Sequence, residues 1–165
     1  MKKLMLMSVV LFTAISFSCG AQTPASPKAT AEGKDVSVTY GQPSKKGREI
    51  FGKLEPFGKV WRAGANEATE ITFAKDTKFG GKEIKAGTYT LFVTPNASEW
   101  MVILNSERKQ WGAYKYEEIK AKDVLKVNVP VKKLDNVVEK LTYRFTGNNE
   151  LVIEWDQTQA TIPVG

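Results

Sequence analysis

The sequence predicts an all-β domain: an antiparallel β-sandwich of jelly-roll type, or a partly closed barrel, with about 8–10 short strands. Short stretches rich in β-branched and aromatic residues recur along the chain, and several of them alternate apolar and polar positions. Gly, Pro and Asn separate these stretches at regular intervals, as turns between strands do. Helical patterns are few and short, which favours an all-β class over a mixed one.

The strand patterns follow one another from residue 36 to the C-terminus. Residues 36–40 and 69–73 alternate, 88–94 is β-branched and aromatic, and 100–104 is almost wholly apolar, as a buried central strand would be. Gly147-Asn148-Asn149 predicts a hairpin between two further strands. The remaining predicted strands are 48–54, 123–131, 141–146, 151–155 and 161–164. We also expect a short helix at 117–122 and a turn at 134–139.

Composition limits the chemistry that the chain can perform. Its 165 residues include no His and one Cys, so an intrachain disulfide, a Cys/His zinc site and His-based nucleophilic catalysis are all excluded. The net charge of +6 is spread mainly over scattered lysines, without the basic stripe of a nucleic-acid-binding protein. We therefore expect no metal, no cofactor and no nucleic-acid partner.

The first 21 residues have the order of a bacterial export signal. Lys2 and Lys3 precede an apolar run, and small residues follow it. The run is shorter than the ~20 residues that span a membrane. We expect an exported protein of the periplasm or cell envelope.

Two cleavage sites are compatible with this leader. Ser16-Phe17-Ser18-Cys19 resembles a relaxed lipoprotein signal, in which Cys19 becomes the lipidated first residue and anchors the protein to a membrane. Cleavage after Ala21 would instead leave a free Gln22. The position of the only Cys favours lipidation. Residues 22–34, rich in Ala, Pro, Ser and Thr, are predicted to form a flexible tether, and residues 35–165 a single β domain.

Two blocks suggest a family. The first is GKVWRAGANEAT at 58–69, and the second combines GTYTLF at 87–92 with WMVILN at 100–105 and QWGAY at 110–114. With these blocks the chain, from about residue 40 to 164, resembles DUF2911, a family of exported bacterial proteins of unknown function. The resemblance implies a sandwich-like envelope domain, and it implies no reaction, ligand or functional residue.

The segment from Trp61 to Glu67 is the first candidate surface. Arg62 offers a planar fork of donors for a carboxylate or phosphate, Asn66 and Glu67 offer further polar groups, and Trp61 offers an apolar face. These groups suit a sugar, a small anion or a peptide carboxylate. Alternatively, Trp61 fills the core, Arg62 pairs with Glu67, and Asn66 satisfies a turn.

A second candidate lies at residues 109–114, where Trp111 and Tyr114 provide an aromatic platform for a sugar or peptide. Its alternative is a loop anchored by its own aromatic side chains. If both loops lie at one end of the domain, their residues can form one pocket.

Three functions remain open. The first is a non-catalytic module that binds a small ligand, glycan or peptide, and the second is an assembly protein that binds another envelope protein. The third is a carboxylate-based hydrolase with Glu67 as its acid. Glycosidase chemistry needs two nearby carboxyl groups, and no such pair stands out in the sequence.

Overall fold

The structure, a computed structural model, describes residues 26–165. It confirms the all-β class, since 59% of the described residues are in β-structure and a curled antiparallel sheet of seven strands forms a half-barrel. The predicted leader 1–21 and residues 22–25 of the predicted tether lie outside the described residues.

The strands are β1 (Lys28–Gly33), β2 (Val36–Gly41), β3 (Glu70–Phe73), β4 (Thr77–Phe79), β5 (Lys82–Ile84), β6 (Gly87–Pro95), β7 (Glu99–Asn105), β8 (Asp123–Phe145) and β9 (Glu150–Pro163). The large sheet has the order β1-β2-β3-β6-β7-β8-β9, and β4 and β5 form a separate hairpin. A short helix α1 (Tyr116–Ile119) and a 3₁₀ turn (Lys120–Lys122) precede β8, as predicted. Among the described residues no helix is long and apolar enough to cross a membrane.

The core lies inside the curl of the sheet. In β2, the alternation of Val36, Val38 and Tyr40 places these three side chains in the core, because successive side chains of a strand point to opposite faces. The central strands β6 and β7 are buried over most of their length, which explains why residues 100–104 lack polar alternation.

The curl depends on the long strand β8. Its first part pairs with β7, from Asp123 to Pro130, and its second part pairs with β9 through two irregular registers. Irregular registers bend a strand and increase its twist. Ser44 forms an isolated antiparallel bridge with Lys140, so the loop after β2 contacts the second part of β8 and partly closes the barrel.

The tether prediction for residues 22–34 is wrong at Lys28–Gly33. This segment is β1, and all six residues pair with β2. The inward positions carry only Ala29 and Ala31, so the strand has almost no hydrophobic signal in its sequence. The domain consequently begins before residue 35.

Two local predictions also fail. Residues 48–54 form turns instead of a strand: Ile50 is buried, its carbonyl accepts from the amide of Glu55 at 2.9 Å, and Gly52 has a φ of 90°. The turn predicted at 134–139 is part of β8. The strand predicted at 161–164 is confirmed over 161–163, where it continues β9. The hairpin around residues 147–149 is confirmed.

Candidate functional site

The two loops predicted to carry function lie side by side. Glu67 and Trp111 form an isolated antiparallel bridge. The amide of Ala68 donates to the carbonyl of Gln110 at 2.8 Å, and the amide of Gly112 donates to the carbonyl of Asn66 at 3.1 Å. The backbones of the two loops therefore pair, and Glu67 of the first loop and Lys109 of the second line one cleft.

Trp61 belongs to the core. Its side chain is 3% exposed, and its ring stacks on Trp155 with centroids 6.0 Å apart and packs edge-on against Trp100 and Phe51. Its backbone exchanges two hydrogen bonds with Val93. Buried aromatic clusters of this kind contribute strongly to stability. The structure supports the core interpretation of Trp61, whose ring has no face available to a ligand.

Asn66 and Glu67 diverge from each other. Asn66 has a φ of 63°, and its Nδ2 atom donates to the carbonyl of Ser26 at 3.1 Å, so part of its amide serves the loop itself. Glu67 is exposed and lines a smaller cleft with Lys28 and Lys109. Only Asn66 shares the cleft of Arg62.

Arg62 lines a cleft of about 540 Å³ that the loop after β2 and the segment 54–66 form together. Ser26 and Pro27 lie at its rim, and the buried Trp155 contributes to its lining. Its polar and charged side chains are Ser26, Gln42, Ser44, Lys46, Arg48, Glu55, Arg62 and Asn66.

Two of the four arginines of the chain, Arg48 and Arg62, meet in this cleft. Arg48 donates through Nε to the carbonyl of Lys45 at 2.9 Å and through Nη2 to that of Ser44 at 2.6 Å. Arg62 donates through Nε to the carbonyl of Gly64 at 3.3 Å. A guanidinium has five N–H donors, so both retain donors for a ligand while backbone carbonyls hold their planes in position.

Close backbone contacts hold the two walls of the cleft together. The amide of Ala65 donates to the carbonyl of Gly41 at 3.1 Å, and a Cβ atom on Gly41 would lie only 2.0 Å from the carbonyl oxygen of Ala65. Behind them, the hydroxyls of Thr69 and Tyr143 both donate to the carbonyl of Ala63. The position of Arg62 therefore depends on a glycine in the facing strand end.

Glu55 is the one acid among the described residues that line this cleft. Burial raises its pKa to about 7, against the opposing influence of Arg62 and then Arg48. Lys46, Arg48 and Arg62 provide three positive charges against this one acid. The cleft is consequently cationic at neutral pH, whichever protonation state Glu55 adopts.

Sequence reasoning missed Arg48 and Glu55. Both lie in the segment 48–55, most of which was predicted to be a strand. They share a cleft with Arg62 only after the chain has folded. The local signal was the basic turn Lys45-Lys46-Gly47-Arg48, in which Lys46 and Gly47 have φ values of 50° and 71°. A basic turn near an acidic residue does not predict a binding cleft unless the residues that lie opposite it in the fold are known.

Trp111 and Tyr114 are exposed to 61% and 78%. Gly112, with a φ of 70°, lies between Tyr114 and Arg62: a Cβ there would be 2.6 Å from the Tyr114 ring and 3.1 Å from Nη1 of Arg62. The aromatic platform predicted at 109–114 thus borders Arg62 without lining its cleft.

Comparison with known proteins gives one relationship. Neither curated proteins nor solved structures yielded a match to this chain. The model of the family described as a protein of unknown function, DUF2911, matches residues 23–164. This range includes β1 and both loops of the site. The chain therefore belongs to the DUF2911 family.

Proposed function

We propose that this protein is a non-catalytic binding module for a small ligand that carries a carboxylate or phosphate group, and that Arg48 and Arg62 hold this group. One observation carries the proposal: two guanidiniums oriented by backbone carbonyls line one cationic cleft. Arginine binds such oxyanions with two parallel hydrogen bonds, and preorganised donors lose little entropy when they do so.

The distribution of acids favours binding over hydrolysis. Carboxylate-based glycosidases use two carboxyl groups at most about 10 Å apart on the two sides of the scissile bond. Within residues 26–165, no second acid joins Glu55 in the lining of its cleft. Glu67, the acid nominated from the sequence, lines a different cleft beside Lys28 and Lys109.

Calorimetric titration with phosphate, sulfate and a small dicarboxylate tests the proposal. We expect Arg48→Met and Arg62→Met each to weaken binding by about tenfold or more, since a charge-assisted hydrogen bond contributes roughly 1.5–3 kcal/mol. Arg108→Met is the matched control, because it removes the same charge from a partly exposed ion pair with Glu70. Equal losses in all three variants would show that net charge alone attracts the anions, and the proposal would fail.

A second function is favoured by the exposure of Trp111 and Tyr114, namely docking of another envelope protein on the loop 109–114. Exposed aromatic residues are common anchors at protein interfaces. Crosslinking in intact cell envelopes should then give a defined adduct that the double variant Trp111→Ser/Tyr114→Ser loses. An unchanged adduct in that variant would place the interaction elsewhere on the protein.

We further propose that the protein is exported and anchored to a membrane through a lipid on Cys19. Support comes from the leader and from the position of the only Cys. Ser26, at the rim of the Arg62 cleft, lies seven residues after Cys19, so even a fully extended chain would keep it within about 25 Å of the anchor. Mass spectrometry of the mature N-terminus should find acylated Cys19, and a free Gln22 would contradict the anchor.

A further inference from the structure

Glu55 occupies a position in which its charge opposes the proposed ligand. It lines the cleft beside Arg48 and Arg62, and the turn that carries it is held by its own amide on the carbonyl of Ile50. An ionised Glu55 would neutralise part of the positive charge that attracts an anion, and it would repel a ligand oxygen placed between the two guanidiniums. A protonated Glu55 would remove that repulsion and provide a hydroxyl donor.

The other charged groups near the cleft do not place a second acid against the bound anion. Lys46 lines the cleft and is exposed, and its amide donates to Oε1 of Glu139 at 2.8 Å, a carboxylate that is outside the cleft lining. Lys45 pairs with Asp156 at 3.0 Å. Of the acids packed around these elements, Glu55 alone lines the cleft in the part of the chain that the structure describes.

We propose that the cleft takes up its oxyanion together with one proton, and that Glu55 carries this proton in the complex. The proton comes from the solvent and forms the O–H bond of the Glu55 carboxyl group; no other covalent bond forms or breaks. The protonated carboxyl donates to an oxygen of the ligand while Arg48 and Arg62 bind its negative charge. Glu55 is thus a specificity residue that favours ligand oxygens able to accept its hydrogen bond.

The protonation state of free Glu55 makes this coupling measurable near neutrality. Burial raises its pKa to about 7, so the carboxyl is mostly ionised at pH 8 before the ligand arrives. A ligand that binds the protonated form better must raise this pKa further, and by linkage its own affinity must fall as the pH rises.

This inference rests on the proposed function. Titration of the mature protein with sulfate distinguishes a failure of the inference from a failure of the binding function. Sulfate stays fully ionised between pH 6 and 8.5, so any proton taken up is taken up by the protein. Calorimetry at pH 8 in buffers of different ionisation enthalpy should report uptake of about one proton per sulfate, and affinity should fall by up to about tenfold per pH unit above 7. Glu55→Gln should take up no proton and keep a flat affinity profile.

Glu49→Gln is the matched control, because Glu49 is an exposed acid in the same segment outside the cleft lining. It should behave as the wild type does. Sulfate binding without proton uptake, or equal uptake by Glu55→Gln, would overturn this inference and leave the binding function standing. If neither sulfate nor phosphate binds at any pH, the binding function fails and the inference fails with it.

Discussion

Glu55 and Arg62 line the same cleft, yet the pKa of Glu55 is about 7, because burial raises it more than the charges of Arg62 and Arg48 lower it. A carboxyl group beside two guanidiniums usually has a lowered pKa. The raised value means that neither arginine neutralises Glu55 fully. Both guanidiniums instead donate to backbone carbonyls.

The stability of the fold should depend on pH through Glu55. Between its ordinary pKa of 4.5 and about 7 the folded state binds more protons at this residue than the unfolded state, so the contribution of Glu55 to stability is fully present below pH 4.5 and is lost as the pH rises through 7. Screening by solvent limits the loss of this contribution to about 1–2 kcal/mol.

Glu55→Gln should remove this loss. We expect urea unfolding to show the variant more stable than the wild type at pH 8 and similar to it at pH 4.5. A parallel pH dependence in both proteins would mean that another group dominates the titration.

Trp61 should matter to stability and little to binding specificity. Trp61→Ala should cost about 3–5 kcal/mol through the cavity it leaves beside Trp155 and Trp100, as other large aromatic truncations do. Trp61→Phe should cost less than half of that, because the buried Nε1 of Trp61 has no hydrogen-bond partner among the described residues. Denaturant unfolding measures both losses. An unchanged free energy of unfolding in Trp61→Ala would contradict the assignment of Trp61 to the core.

Gly41 should control the geometry of the cleft. Gly41→Ala would place its Cβ 2.0 Å from the carbonyl oxygen of Ala65, so the segment 62–66 must move, at a cost of about 1–3 kcal/mol typical of overpacking. Anion affinity should fall as well, because Arg62 moves with its segment. Gly147→Ala is the control, since a Cβ there meets no atom within 4 Å. Equal effects of the two substitutions would contradict the contact between Gly41 and Ala65.

Trp111 should be the fluorescent residue that solvent quenchers reach. The other three tryptophans, at 61, 100 and 155, are at most 3% exposed, whereas Trp111 is 61% exposed. Acrylamide should therefore quench a distinct fraction of the emission, and Trp111→Phe should abolish that fraction. If docking of a partner protein uses this loop, the partner should protect the same fraction. Quenching that persists in Trp111→Phe would show that a tryptophan assigned to the core is open to solvent.

The fold could be predicted where side-chain alternation is strong and could not where it is weak. Residues 36–40 and 69–73 alternate clearly and form β2 and β3. β1 was missed because its inward residues, Ala29 and Ala31, bury too little apolar surface to stand out from a tether. The middle of β8, residues 132–140, was missed because this exposed, polar stretch becomes part of a strand only through the folded sheet, where β8 pairs with β9.

The candidate site could likewise be predicted only in part from the sequence. Similar sequence features at 61–67 and 110–114, an aromatic residue with glycine and polar groups, suggested loops at one end, and these loops do pair. The convergence of Arg48, Glu55 and Arg62 could not be predicted, because it depends on contacts between distant segments. Two of these are the approach of Gly41 to Ala65 and the bridge from Ser44 to Lys140.

The most direct test of the anion cleft is the ¹⁵N–¹H spectrum of the arginine side chains during a titration with sulfate. The chain has four arginines, so four Nε–Hε signals are expected, and those of Arg108 and Arg144 are internal controls because these residues pair with Glu70 and Glu154. The signals of Arg48 and Arg62 should shift together along one saturating curve while the other two stay in place. Four equal, non-saturating shifts, or none, would contradict the cleft as an anion site.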